Sequence, residues 1–332
     1  MKKRNIIIMC TLLIVILLLV VGYFLVGNYF YNIALNPHTS KSFVLGDEKE
    51  ATEEEKKLES WLKENSKDVY ITSNNNGKLK LHAYEVLSKS SNENNTEKKE
   101  DVETKDKENQ DIWAIVVHGY MSKGLDMAYA AKEFNNRGYN VLVLDLRGHG
   151  LSKGNYIGMG WHDRLDLLDW TNYVINNNKD CKIIWYGVSM GAATVMMATG
   201  ENVPSNVKLA IEDCGYSSIW DEFKVQLKSL FNLPSFPVLN AASTISNIKA
   251  GYDLKEGSSI EQLKKSKTPT LFIHGSEDKF VPFYMLDEVY NVATCKKDKL
   301  VIEGAAHAES DRVNPDLYWS KIDEFIKENI ND

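Results

Sequence analysis

The sequence predicts an α/β domain, a mostly parallel sheet with helices on both faces. Three observations predict it. Short runs such as Ile115-Val116-Val117, Ile183-Ile184-Trp185-Tyr186 and Leu271-Phe272-Ile273 recur through the C-terminal part of the chain. They are apolar throughout rather than alternating, as strands covered on both faces must be. Helical patterns separate them, the rhythm of a parallel sheet wound with crossover helices. One strand, finally, turns straight into a small-residue helical stretch through Gly187-Val188-Ser189-Met190-Gly191.

At the N-terminus, Lys2-Lys3-Arg4 precedes an uncharged apolar run over residues 6–26. About 20 such residues span a hydrocarbon core. Gly27-Asn28-Tyr29-Phe30-Tyr31 follows, with aromatic residues suited to a membrane interface and no small-x-small cleavage site. The run reads as an uncleaved single-pass anchor in the cell membrane, with a cleaved signal peptide as the second reading. Basic residues before the span and few after it predict a cytoplasmic N-terminus and a folded domain outside. Residues 1–28 thus form the flank and transmembrane anchor, and 29–66 a juxtamembrane linker. That linker carries an amphipathic helix over 53–64 with Leu58, Trp61 and Leu62 on one stripe. The folded domain is 67–332, and a chain starting near Lys41 is expected to be soluble and active.

Within that domain, residues 69–72 and 79–84 flank Asn74-Asn75-Asn76-Gly77 and read as a hairpin. The stretch 88–110 has almost nothing apolar to offset the cost of ordering and reads as a disordered insert. Strands are then expected at 113–117, 141–145, 182–186, 207–212, 270–273 and 299–302. Helices are expected near 125–137, 164–177, 192–199, 285–293 and 318–330. Segment 216–267 breaks the alternation and reads as a small helical cap.

A serine hydroxyl is a poor nucleophile until it is held clear of the backbone and presented to a base. A sharp strand-to-helix turn flanked by glycines does this, which singles out Ser189. An acid and a histidine must follow in chain order. The strand at 270–273 opens into His274-Gly275-Ser276-Glu277-Asp278, and the strand at 299–302 into Glu303-Gly304-Ala305-Ala306-His307. Asp278 is the expected orienting acid, with Asp213 second and Glu277 third, and His307 is the expected base. An oxyanion hole is expected from the backbone N–H of Met190 and, after His118-Gly119, that of Tyr120. His118, His149 and His274 read as structural.

These motifs, with Asp145-Leu146-Arg147-Gly148-His149-Gly150, resemble the α/β-hydrolase superfamily, and within it a serine aminopeptidase-like, membrane-anchored bacterial group. The resemblance covers about residue 113 to the C-terminus and more loosely reaches back to Ala83. It implies an α/β-hydrolase fold, acyl transfer through Ser189, Asp278 and His307, and a cap after the sixth strand. Trp220, Phe223, Leu227 and Phe231 of that cap are the expected substrate-binding residues.

A net charge of −7 and the lack of a basic, aromatic-interleaved stripe argue against a nucleic-acid partner. No zinc-binding histidine motif occurs, and Cys10, Cys181, Cys214 and Cys295 are widely spaced. Neither metal nor cofactor is expected, and only a Cys181–Cys214 bridge is left open. The expected activity is carboxylic ester hydrolysis through an acyl-enzyme. The alternative is an aminopeptidase or amidase of the same fold, in which Asp221, Glu222 or Asp253 would hold a substrate ammonium. A non-catalytic surface binding module is the third reading.

Overall fold

The computed structural model describes residues 2–42, 50–74, 78–88 and 111–331. Eight strands make one sheet in the order β1-β2-β4-β3-β5-β6-β7-β8. Strands β1 (Lys67–Thr72) and β2 (Lys80–Val86) form the expected hairpin, with Val69 opposite Ala83. Its turn at 75–77 and residues 89–110 of the expected insert lie outside the described residues. From β3 (Ile112–Val117) and β4 (Asn140–Asp145) onward the pairing is parallel, through β5 (Lys182–Val188), β6 (Val207–Asp213), β7 (Thr270–Gly275) and β8 (Lys297–Ile302).

Side chains on a strand alternate between faces, so each central strand feeds two cores. Ile115, Val117, Ile183 and Trp185 pack on α4 (Asp163–Asn177) and α5 (Met190–Thr199) through Leu167, Trp170, Ala193 and Met197. Ala114, Val116, Ile184 and Tyr186 pack on α3 (Ala128–Asn136) and the C-terminal α11 (Pro315–Asn329) through Phe134, Trp319 and Ile322. Leu62 of α2 (Glu53–Asn65) joins this second core, and the helix starts at a capping box between Thr52 and Glu55. The expected helix near 125–137 begins as a 3₁₀ turn, Gly124–Met127, before α3. Segment 216–267 holds α6 (Ile219–Phe231), α7 (Ser235–Ala250) and the short α8 (Ser259–Leu263). The remaining helices are α9 (Tyr284–Val292) and α10 (Ser310–Val313).

The N-terminal helix departs from the expected boundaries. Helix α1 runs unbroken over Lys2–Leu35, so residues 29–35 are not linker. Apart from half-buried Tyr23, its large side chains from Ile6 to Val26 stand exposed, whereas Tyr31 and Leu35 are buried. The difference arises because the last turns meet α7 instead of solvent. At Gly27 the two helices approach so closely that any β-carbon would collide with the Ala241 carbonyl. The Tyr23 hydroxyl lies 3.0 Å from Thr244 Oγ1, and Lys249 Nζ donates to Asn28 Oδ1 at 2.6 Å.

Carbonyls at a helix C-terminus lack intrahelical partners. Here they are taken up by the body of the protein. Tyr120 Oη donates to Ala34 O at 2.7 Å, and Ile157 N to Leu35 O at 2.8 Å. The buried amine of Lys41 reaches Asn32 O and Asn36 O, and burial lowers its pKa to about 8.

Lys41 is therefore the wrong place to begin a stable domain. Two buried side chains worth about 1.5–3 kcal/mol each, and the support for the Tyr120 loop, would go with residues 1–40. In detergent, a chain starting at Lys41 should aggregate or unfold well below the full-length protein. One starting at Gly22 should unfold near it. Equal midpoints for the Lys41 chain and the full-length protein would show that the helix adds nothing to the fold.

Candidate active site

The site lies at the carboxyl edge of the parallel strands, where an open α/β sheet gathers loops from several strands. Strand β5 ends at Val188 and α5 begins at Met190, so the whole reversal falls on Ser189. Its φ of 58° and ψ of −117° are a strained combination for a residue with a side chain. The surroundings hold it there. A β-carbon on Gly187 would strike the Gly191 carbonyl, and one on Gly191 the Val117 carbonyl, so the turn packs backbone to backbone against β5 and β3. Ser189 N also donates to Asp213 O at 2.8 Å.

The structure brings Ser189, Asp278 and His307 together from the ends of β5, β7 and β8. Ser189 Oγ is 2.9 Å from His307 Nε2, and His307 Nδ1 is 2.7 Å from Asp278 Oδ2. A donated Nδ1–H leaves Nε2 free to accept the serine proton. The other oxygen of Asp278 accepts the amides of Phe280 at 2.9 Å and Val281 at 3.0 Å. Burial alone would raise this carboxyl, but His274 and His307 outweigh it and hold it below the usual carboxylate range. His274 anchors the loop by donating from Nε2 to Val281 O at 3.0 Å.

Asp213 is buried and its carboxylate is engaged elsewhere. It accepts from Ser310 Oγ at 3.2 Å and Tyr318 Oη at 3.0 Å, and burial raises its pKa to about 7. Glu277 is exposed to solvent.

Met190 is the first residue of α5, where a backbone N–H has no intrahelical acceptor. The Tyr120 loop stands beside it, since a β-carbon on Gly119 would lie 3.4 Å from Ser189 Cβ. Two buried histidines brace that loop. His118 donates from Nδ1 to Gly119 O at 2.7 Å and accepts from Leu146 N at 3.0 Å. His149 donates from Nδ1 to Arg147 O at 3.0 Å and accepts from Met121 N at 3.3 Å. Burial lowers both, His149 to about 3, so each stays neutral and keeps its acceptor nitrogen.

Ser189 stands between two cavities. The first has an empty volume of about 830 Å³, its open mouth included, and is mainly apolar. Phe223, Leu227, Leu230 and Phe231 of α6 line it, together with Leu239 and Ala242 of α7 and Tyr120, Phe280 and Val281. Trp220 is not in this lining, contrary to expectation. It sits a turn earlier on α6, with the Lys255 ammonium 4.5 Å over its ring. The second cavity is wider and more polar, bounded by Glu54, Glu55, Asp126, Asp311, Arg312 and His307.

One wall of the first cavity was missed. Phe30, Tyr31, Ile33, Ala34 and Leu35 of α1 line it, and Phe30 meets Phe231 edge to face at 5.1 Å. The sequence held a signal for this: Gly27, Tyr31 and Leu35 recur every four residues, one face of a helix.

Glu222 is the other finding. Of the three acidic residues weighed for the cap, it alone lines this cavity. Asp221 instead accepts from Ser218 Oγ at 2.7 Å, and Asp253 Oδ1 accepts from Lys255 N at 2.9 Å. Oε1 of Glu222 accepts from Gln226 Nε2 at 2.8 Å, while Oε2 is buried without a partner among the described residues. Burial raises this carboxyl to about 8. The four cysteines are all free, which closes the question of a Cys181–Cys214 bridge.

Known proteins point the same way. The family described as "Serine aminopeptidase, S33" matches residues 109–230. Protein YqkD of Bacillus subtilis is 28% identical over 219 residues, 66% of this chain and 72% of that protein. Protein YfhR of Escherichia coli K12 is 26% identical over 233 residues, with the same coverage of each. Among solved structures, the Pyrococcus furiosus esterase Pf2001 superposes with a TM-score of 0.61 at 23% identity, covering 82% of this chain and 94% of that one. A Pyrococcus horikoshii acylaminoacyl peptidase superposes at 0.55 and 16% identity, covering 80% and 41%. The chain has the α/β-hydrolase fold. The residue at the elbow of that fold is a serine, Ser189.

A raised carboxyl is a statement about stability. The folded protein holds the Glu222 proton up to about pH 8, whereas the unfolded chain releases it near the ordinary value of about 4.3. The folded state is therefore favoured by this group at low pH and loses that advantage as pH rises towards 8. Glu222→Gln should be nearly neutral at pH 4, gain in thermal midpoint up to about pH 8, and then level off. A midpoint difference independent of pH would contradict the raised value.

Proposed function

We propose that the protein is a membrane-anchored serine esterase working through an acyl-enzyme, with Ser189 as nucleophile, His307 as general base and acid, and Asp278 as orienting acid. The observation that carries this reading is the hydrogen-bonded series Ser189–His307–Asp278 at the mouth of an apolar pocket. His307 takes the serine proton as Oγ attacks the ester carbonyl, and Asp278 stabilises the imidazolium. The amides of Met190 and Tyr120 hold the developing oxyanion. His307 then protonates the departing alcohol and later activates the water that releases the acid. The pocket lined by Phe223, Leu227 and Phe231 takes the acyl group, and the polar cleft takes the alcohol. Neither metal nor cofactor enters this scheme.

Helix α1, apolar over a length that can cross a membrane, is the anchor in this reading. Its last turns form a pocket wall, so removal as a signal peptide would open the site to solvent. The basic N-terminal flank puts the hydrolase domain on the outer face.

Ser189→Ala and His307→Ala should each abolish p-nitrophenyl butyrate turnover and, for Ser189→Ala, fluorophosphonate labelling, with thermal midpoints unchanged. Asp278→Asn should lower kcat by orders of magnitude. Asp213→Asn should mainly lower the midpoint. Loss of activity confined to Asp213→Asn would reverse the assignment of the acid.

Glu222 favours one second reading, an aminopeptidase or amidase. A carboxylate in the acyl pocket suits a substrate ammonium, and a bound ammonium would draw the Glu222 proton off. In that case aminoacyl p-nitroanilides should be cleaved faster than butyryl esters, with the difference erased by Glu222→Gln. Anilide rates far below ester rates in the wild type would remove this alternative.

A further inference from the structure

Helix α1 is at once the only described helix long and apolar enough to cross a membrane and a wall of the pocket beside Ser189. The geometry between those two roles is short. If the span ends at Val26, Phe30 lies about 6 Å further along the axis at 1.5 Å per residue. The headgroup layer beyond the hydrocarbon is itself roughly 5–8 Å deep on each side. The pocket wall therefore begins at headgroup level rather than out in water.

The cap reaches the same level independently. Thr244 of α7 meets Tyr23, a residue inside the apolar run, at 3.0 Å. Ile248 lies one turn beyond Thr244, on the same face of α7. It is 66% exposed, and Phe236 at the start of α7 is 73% exposed. These apolar side chains belong to the helix that packs against α1, and an interfacial surface is expected to carry such groups. Beyond Ser189, away from α1, the second cavity is the more polar of the two and carries Asp311, Arg312 and Glu55. The two cavities suit an amphiphile, with its chain on the α1 side, its polar part on the other and its ester at Ser189.

We propose that the membrane helix is part of the substrate site. The substrate is a long-chain acyl ester lipid resident in the bilayer, whose chain passes from the membrane along the last turns of α1 into the pocket. The proposal rests on the esterase reading and deepens it. Phe236 and Ile248 seat the cap in the interface and so bring the pocket mouth to the lipid. They do not line the pocket, so they bear on delivery and not on chemistry.

The test uses full-length protein in phosphatidylcholine vesicles and two esters with one leaving group, soluble 4-methylumbelliferyl acetate and vesicle-dissolved 4-methylumbelliferyl palmitate. The double variant Phe236→Asp, Ile248→Asp should keep acetate turnover within twofold and lose at least tenfold on palmitate in vesicles. In detergent micelles its palmitate rate should return to that of the wild type, because delivery from a bilayer is no longer needed. Ile33→Trp, filling the pocket from the α1 side, should lose palmitate in vesicles and micelles alike. Wild-type turnover of acetate with none of palmitate in vesicles would overturn the proposal, as would unchanged vesicle palmitate rates in both variants. If the wild type cleaves neither ester and takes up no fluorophosphonate, the underlying esterase reading fails instead.

Discussion

The site depends on how closely the β5–α5 turn can approach the strand beside it. Gly191 sits against the Val117 carbonyl with no room for a side chain, and Gly187 sits against Gly191 in the same way. That contact leaves no volume for a relaxed turn, so Ser189 is held at positive φ and its side chain projects beyond the sheet edge. Strain of this kind costs of order 1–3 kcal/mol and persists only where the surroundings over-determine it. Here the surrounding strands are fully buried on both faces, and the register between β3 and β5 sets the position of the elbow.

Around that fixed point the polar groups are braced rather than free. Asp278 accepts two backbone amides as well as His307, which leaves little freedom to the imidazole it orients. On the opposite side, His118 and His149 serve as neutral hydrogen-bond relays that tie the Tyr120 loop to the turn after β4. Burial makes this possible, since it keeps both rings uncharged and their acceptor nitrogens available. Tyr120 adds a further tie, its hydroxyl bound to the end of α1. The loop that carries a proposed oxyanion donor is thus connected to the apolar N-terminal helix. The end of α1, the cap and the sheet edge form one packed unit, with Phe30 against Phe231 and Gly27 against Ala241.

Much of this was legible in the sequence. The apolar strands, their alternation with helices and the glycine-flanked Ser189 depend on local patterns, because a strand buried on both faces must be apolar wherever it lies. The order of Ser189, Asp278 and His307 was readable for the same reason, since each follows a recognisable strand and parallel strands all end at one edge. Helix α1 was readable as far as Val26, because its uncharged apolar run is a matter of composition alone.

Only the tertiary structure decided the rest, and in each case the reason is a partner distant in sequence. Residues 27–35 continue α1 because α7, more than two hundred positions away, covers Tyr31 and Leu35. Trp220 and Phe223 share one helical stripe, yet only Phe223 lines the pocket, and the Trp220 ring lies under the Lys255 ammonium. Asp213 and Asp278 both follow parallel strands. Tyr318 and Ser310 engage the first, and His307 engages the second. Among three cap acids, only Glu222 lines the cavity that α1 and the Asp278 loop also line, a choice no local pattern encodes.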